Sequence, residues 1–428
     1  MSTLPDADSP RIASFGGFLR FLGSEMKPKG PLRTPFNMIS IPIIAVGFVL
    51  IVIRFIFGIG AITNLDQENP WGVWIGFDVV SGVALAGGAY VLTFIVYIMG
   101  RQRYHSIVRA VILNGFLAYM FYAGALVLDL GRPWNIINPI IGNNFGVSSV
   151  LFLVAWHFML YMIAEAIEFS PAVAEWLGLD RVRKVLKVMT LGAVIFGITL
   201  STLHQSGLGA LYLMAAEKIH PLWYSEFIPV LFLVSSVFAG LSMVVLEGTI
   251  THRVFAHRMR AGVKASHDGI LMGLGRICAG AMFVYLFLKC LVFVHDGHAA
   301  WIGTSWGTWY LTEVVGFVLV PCVLFTWAVR RRNLLGIRVA SILTLLGILL
   351  NRLNISVIAF KWDAPVRYYP TWMEIAVTLA VVFSEIWVFR WIINRMPVLD
   401  RNRTDVEDEH RRPVPGTGEV RKWRAPAA

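Results

Sequence analysis

Ten separate apolar stretches of about 20 residues or more run through this 428-residue chain, and in lipid a stretch of that length can satisfy its backbone only as a helix. They lie near residues 36–62, 73–99, 107–128, 147–168, 187–209, 226–249, 269–293, 308–329, 336–359 and 372–394. The breaks between them are polar or rich in Gly, Pro and Asn, as helix ends require. With 57% hydrophobic and only 15% charged residues, the composition excludes a water-soluble protein. The expected fold class is an all-α integral membrane protein with about ten transmembrane helices. Residues 1–35 read as an N-terminal tail, 36–395 as the membrane domain and 396–428 as a charged C-terminal tail, both tails without periodicity and poorly ordered. The first apolar stretch, beginning near Phe36, is too long for a cleaved signal and is expected to remain as an anchor.

The net charge of +11 is explained by topology rather than by a nucleic-acid partner. With the N-terminus inside, the cytoplasmic connections and tails hold 28 Lys and Arg residues, against four outside: Arg132, Lys218, Lys361 and Arg367. The positive-inside rule therefore places both termini in the cytoplasm. The outer connections are uncharged overall and aromatic, with Trp134, Trp223 and Trp306 prominent, which suits either a docking surface or an interfacial aromatic belt. The three cysteines, Cys278, Cys290 and Cys322, lie in apolar stretches without metal-type spacing and read as plain core residues, so no metal and no iron–sulfur cluster is expected in this chain.

Ionisable residues inside a bilayer are costly and mark candidate sites. Arg54, Asp78, His204, Lys289, Glu313, Arg352 and Glu374 project to the outer half, His157 to mid-depth, and Glu165, Glu247 and Glu385 deeper or toward the inside. Asp78, within PWGVWIGFD, and His204, within TLHQSGLG, sit at similar depth. A carboxylate and an imidazole so placed can hydrogen-bond the carbonyl of a quinone and deliver protons as it is reduced. The plainer reading makes Asp78 a helix-start residue held by backbone amides and His204 a packed core histidine. Arg54, Lys289 and Arg352 need counter-charges, and an ion-pair lattice with Asp78, Glu313 and Glu374 is expected. Glu165, Glu247 and Glu385 suggest a proton route from the cytoplasm. Of the ten histidines only His157 and His204 fall clearly within spans, so a single cross-helix haem pair is conceivable and no haem is expected.

The runs PWGVWIGFD, DLGRPWN, TLHQSGLGALY followed by HPLW, and YYPTWME, in that order, resemble the NrfD/PsrC family, the polysulfide reductase membrane subunits. Within it the likeness is greatest to the HybB branch, membrane subunits of periplasmic nickel–iron hydrogenase complexes. The resemblance spans roughly Phe36 to Met396 and implies two four-helix bundles plus flanking helices in a bacterial inner membrane. It also implies a quinone-reactive subunit (menaquinone or ubiquinone) without redox metal of its own. Its electrons would come from a periplasmic ferredoxin-like iron–sulfur subunit and, through it, a hydrogenase-like oxidoreductase. By position, Asp78 and His204 match the family motifs as the catalytic pair, with Gln205 and Tyr122 as neighbours in the quinone site and His157 the remaining polar side chain near them.

Two other classes compete: a secondary transporter, which would favour internal repeats and helices broken at the midplane, and a passive anchor, which would not need so many buried charges. Neither repeats nor midplane breaks are clear in the sequence.

Overall fold

The computed structural model describes residues 15–29, 31–67, 69–138, 146–256, 259 and 261–399. The C-terminal tail from residue 400 onward, the stretch 139–145 of the second outer connection, and Arg11, Arg258 and Arg260 lie outside the described residues. Among the described residues ten helices are long and apolar enough to span a membrane: Pro35–Phe57, Ile75–Ile98, Gln102–Asp129, Val150–Trp176, Asp180–Lys218, Ile228–Val254, Ser266–His295, Ser305–Arg331, Leu334–Ile358 and Trp372–Ile393. They are called the first to the tenth helix below. Among the described residues the only β-pairing is an isolated bridge between Ile219 and Phe360.

Side-chain caps set several helix starts. Thr34, Ser149, Thr304 and Asn333 each accept a backbone N–H of the first turn, and Thr371 forms a capping box with Glu374. Four π-helical stretches interrupt the α-helical pattern, at Ile75–Ser81, Phe94–Ile98, Val315–Leu319 and Asn354–Ile358. Such bulges re-aim side chains and gather at functional sites. Asp78 and Asn354 both lie in one.

Helices two to five pack as one bundle and helices six to nine as a second, joined where the sixth helix packs on the second and fifth. The first and tenth helices pair with each other on the flank, and the tenth also packs on the third. Without a hydrophobic drive between helices in lipid, small residues allow the close approach that dispersion needs. The bundles meet at Gly240, where a β-carbon would lie 2.1 Å from the Gly88 backbone nitrogen. The first helix starts, and the tenth ends, on one face of the protein, here the terminal face; Arg390 donates to Asn37 Oδ1 there at 3.0 Å. The opposite face is the distal face, and the second helix descends from it.

The N-terminal tail is more ordered than expected: Phe15–Glu25 is a helix lying against the terminal face. The Phe21 ring meets Trp176 at 5.0 Å, and Arg395 donates to the Glu25 carbonyl at 2.5 Å. An apolar face with charged edges explains it, a pattern too short to register against the long spans. Of the cysteines, Cys278 and Cys322 are core residues as expected, whereas Cys290 is exposed.

Candidate functional site

Asp78 sits in the π-helical start of the second helix and is 2% exposed, with Oδ1 lacking any hydrogen-bond partner among the described residues. Leaving a carboxyl oxygen unmet inside a fold is costly, and such groups call for an explanation. The helix-start reading supplies none for this oxygen. One turn along, Gly82 faces the third helix so closely that a β-carbon would lie 2.5 Å from the Tyr122 ring. Tyr122 lies within electrostatic reach of three acids, Asp78, Glu247 and Glu385, from the second, sixth and tenth helices. Asp129, at the distal end of the third helix, and Glu385 also reach Asp78. Four buried or half-buried acids thus surround the face of one tyrosine-bearing helix.

His204, in the fifth helix, is fully buried. Its Nδ1 lies 3.2 Å from the Val154 carbonyl, and its ring packs between Tyr119 and Phe158, with centroids at 5.8 and 5.3 Å. A carbonyl only accepts, so the neutral ring carries its proton on Nδ1 and presents Nε2 as a bare acceptor. That Nε2 has no partner among the described residues. The geometry therefore changes the expected role: His204 is arranged to accept a hydrogen bond, not to donate one to a quinone carbonyl. Gln205 is engaged, donating Nε2 to the Val83 carbonyl at 2.9 Å, which ties the fifth helix to the second. His157, half-buried on the fourth helix, is close enough to His204 to act on it electrostatically.

No hydrogen bond or ring contact joins Asp78 to His204 among the described residues. Asp78 looks toward the third and tenth helices, and His204 toward the third and fourth. On the third helix Tyr119 packs against the His204 ring, and Tyr122, one turn along, packs against Gly82, one turn from Asp78. Sequence depth put the pair level with each other; which neighbours each one meets is set by the packing.

Among the described residues no ion pair joins Arg54, Lys289 or Arg352 to Asp78, Glu313 or Glu374; the hydrogen bonds and ring contacts of these cations go to uncharged groups. Arg54 donates to the carbonyls of Leu128, at 2.8 Å, and Leu130. Arg352, fully buried, donates to Asn351 Oδ1 at 2.8 Å and Ser235 Oγ at 2.6 Å, and its guanidinium lies 3.5 Å over the Phe232 ring. Lys289 lies over the Tyr310 ring at 5.3 Å. Glu313 accepts from Trp223 at 2.7 Å, Asn351 at 2.7 Å and Asn354 at 2.5 Å. Glu374 caps the tenth helix and accepts from the Tyr368 hydroxyl. Sequence reasoning missed Asn351 and Asn354, uncharged residues whose only signal was a polar pair inside an apolar run.

On the distal face, His220 is enclosed by four tryptophans, Trp223, Trp301, Trp306 and Trp362, with ring centroids 4.7 to 5.6 Å away. Burial, with repulsion from His298, pushes its imidazole down to about 4. Trp223 is buried in this cage at 3% exposure, so it offers no docking area, whereas Trp134 is 70% exposed.

The family model described as "Polysulphide reductase, NrfD" matches residues 61–360. The chain belongs to the NrfD family. The match takes in helices two to nine, both bundles, and leaves the flanking first and tenth helices outside. A protein of Nitratidesulfovibrio vulgaris is 45% identical over 89% of this chain and 98% of its own length. The "Probable Ni/Fe-hydrogenase 2 b-type cytochrome subunit" of Escherichia coli is 31% identical over 87% of this chain and 94% of its own. The "Menaquinone reductase, integral membrane subunit" of N. vulgaris is 28% identical over 76% and 82%. Against the NrfD match, Asp78, Tyr122, His204 and the Glu313 network all lie inside the shared region, while Glu374 and Glu385 lie beyond it.

Proposed function

We propose that this NrfD protein is the quinone-reactive subunit of a respiratory oxidoreductase complex in a bacterial inner membrane. The observation that carries this is the orphaned, buried Asp78 carboxyl beside Tyr122, at the distal end of a bundle shared with a menaquinone reductase subunit. Quinone reduction takes up two electrons and two protons, and quinol oxidation returns them. In this reading Asp78 holds or releases the proton at a quinone oxygen, Tyr122 bounds the ring's position, and His204 Nε2 accepts a hydrogen bond from a quinol hydroxyl.

The basic-residue bias supports a cytoplasmic terminal face and an outward distal face. Electrons would then be exchanged with a periplasmic ferredoxin-like iron–sulfur subunit seated near Trp134, and through it with a hydrogenase-like enzyme. Menaquinone is favoured over ubiquinone by the likeness to the menaquinone reductase subunit. Protons would enter from the terminal face: Glu247 and Glu385 lie within electrostatic reach of Tyr122, and Glu247 lines a small cavity with His252 and His267. We infer that this chain holds no b-type haem: the His204 ring is packed against Tyr119 and Phe158, and its Nδ1 is engaged by the Val154 carbonyl.

The test is quinone-linked turnover in membranes, normalised to assembled complex. Asp78→Asn keeps shape and hydrogen-bonding capacity but removes titration, so turnover should fall by about a hundredfold with quinone binding little changed. Wild-type rates with assembly intact would move the search to the Glu313 network.

A further inference from the structure

A groove of about 390 Å³ opens toward the lipid between the first and third helices, with the tenth as its floor. Ile44, Phe48 and Ile51 form one wall and Phe121, Gly124 and Leu128 the other. The floor is made of small residues, Ala380, Val381 and Ser384. Toward the distal face, Arg54 clamps the first helix to the Leu128 and Leu130 carbonyls. Midway along, Gly47 seats the first helix on the floor so tightly that a β-carbon would lie 2.2 Å from the Ala380 Cβ. From Ile44 to Ile51 the first-helix wall runs about two helical turns, about 10 Å.

On the third helix and on the tenth, lining residues are followed directly by groups of the site. Tyr122 follows Phe121, Asp129 follows Leu128 and Glu385 follows Ser384. These acids and Tyr122 are the groups that reach Asp78, whose Oδ1 is unpartnered. Gly124, midway along, has no atom within 4 Å of where a side chain would begin, so the groove is open at its centre. A lipid-open, mostly apolar slot whose lining residues adjoin Tyr122, Asp129 and Glu385 fits a ligand with an apolar chain and a polar head that takes protons.

We infer that this groove is the lateral portal through which the isoprenoid tail of the quinone lies while its ring sits by Asp78 and Tyr122. This rests on the quinone reading above and adds where the tail goes. The Arg54 clamp then acts as a strut, holding the first helix off the third so the slot stays open.

The experiment compares a long-chain menaquinone with a tail-less naphthoquinone as acceptor for the whole complex in proteoliposomes. Gly124→Phe fills the slot from the third helix and Ile51→Trp narrows it from the first. Both should raise KM for the long-chain quinone by roughly tenfold or more, the scale of lost methylene contacts in an apolar pocket, with the tail-less quinone unaffected. Unchanged kinetics with both quinones would mean the groove holds only a lipid acyl chain, and would overturn the portal. Equal losses with both would also overturn it, since the variants would then act on the ring site or the fold. Absence of turnover with either quinone in the unmodified complex would instead refute the quinone reading, and the portal with it.

Discussion

Gly82 and Tyr122 touch so closely that position 82 tolerates no side chain: a β-carbon there would lie 2.5 Å from the tyrosine ring. This contact sets where the phenol stands relative to Asp78, one turn earlier on the same helix. Gly82→Ala should push the ring aside at a cost of about 1–3 kcal/mol, the usual penalty of overpacking. The expected outcome is an assembled complex with reduced quinone turnover, measured per complex by copurification and a quinone-reduction assay. Unchanged turnover would show that the ring's position does not matter to the site.

Glu385 stands between the terminal-side Glu247 and the distal-side Asp78. If protons reach the site along these acids, Glu385→Gln should slow turnover by about tenfold or more, because one titrating relay is lost. Proteoliposomes with the pH varied separately on each side would check this. The unmodified complex should respond to the pH of the terminal side and the variant should lose that response; a response only to the distal side would place the proton source there.

Glu313 is the shared acceptor of three buried donors, from Trp223, Asn351 and Asn354. Glu313→Leu leaves all three unmet and should cost roughly 3 kcal/mol or more, the scale of breaking a buried charged network by removing one member. Folded yield and melting temperature in detergent are the readouts. A stable, well-assembled variant would show that the second bundle does not depend on this network.

The tryptophan cage holds His220 neutral, its imidazole pushed down to about 4. The unfolded chain takes up a proton nearer about 6.5, so below that pH it binds more protons than the fold and stability drops. Stability should therefore be full above about pH 6.5 and decline toward about pH 4, where the caged ring also protonates. Melting curves across this range should show the decline, and His220→Phe should flatten it. An equally steep decline in the variant would assign the acid sensitivity elsewhere.

The ten spans were legible in the sequence because each is a long apolar run whose length the bilayer dictates. The bias of Lys and Arg toward one side was legible for the same reason, since it belongs to whole connections rather than to single contacts. Asp78 and His204 stood out as polar groups in apolar company. The neighbours each of them meets did not, because two residues at one depth can face different helices, and only packing decides which.

How the buried cations are held was likewise decided by the tertiary structure. A sequence shows that Arg352 and Arg54 must be satisfied inside the fold, and formal charge makes a carboxylate the obvious partner. The folded chain instead brings carbonyls, asparagines, a serine and an aromatic ring to them, groups that carry no net charge and leave no trace in a charge count. Burial energy and bilayer thickness act along the chain and can be read from it residue by residue. Hydrogen-bond partners and the groove between the first and third helices arise from residues tens to hundreds of positions apart, and exist only once the helices have packed.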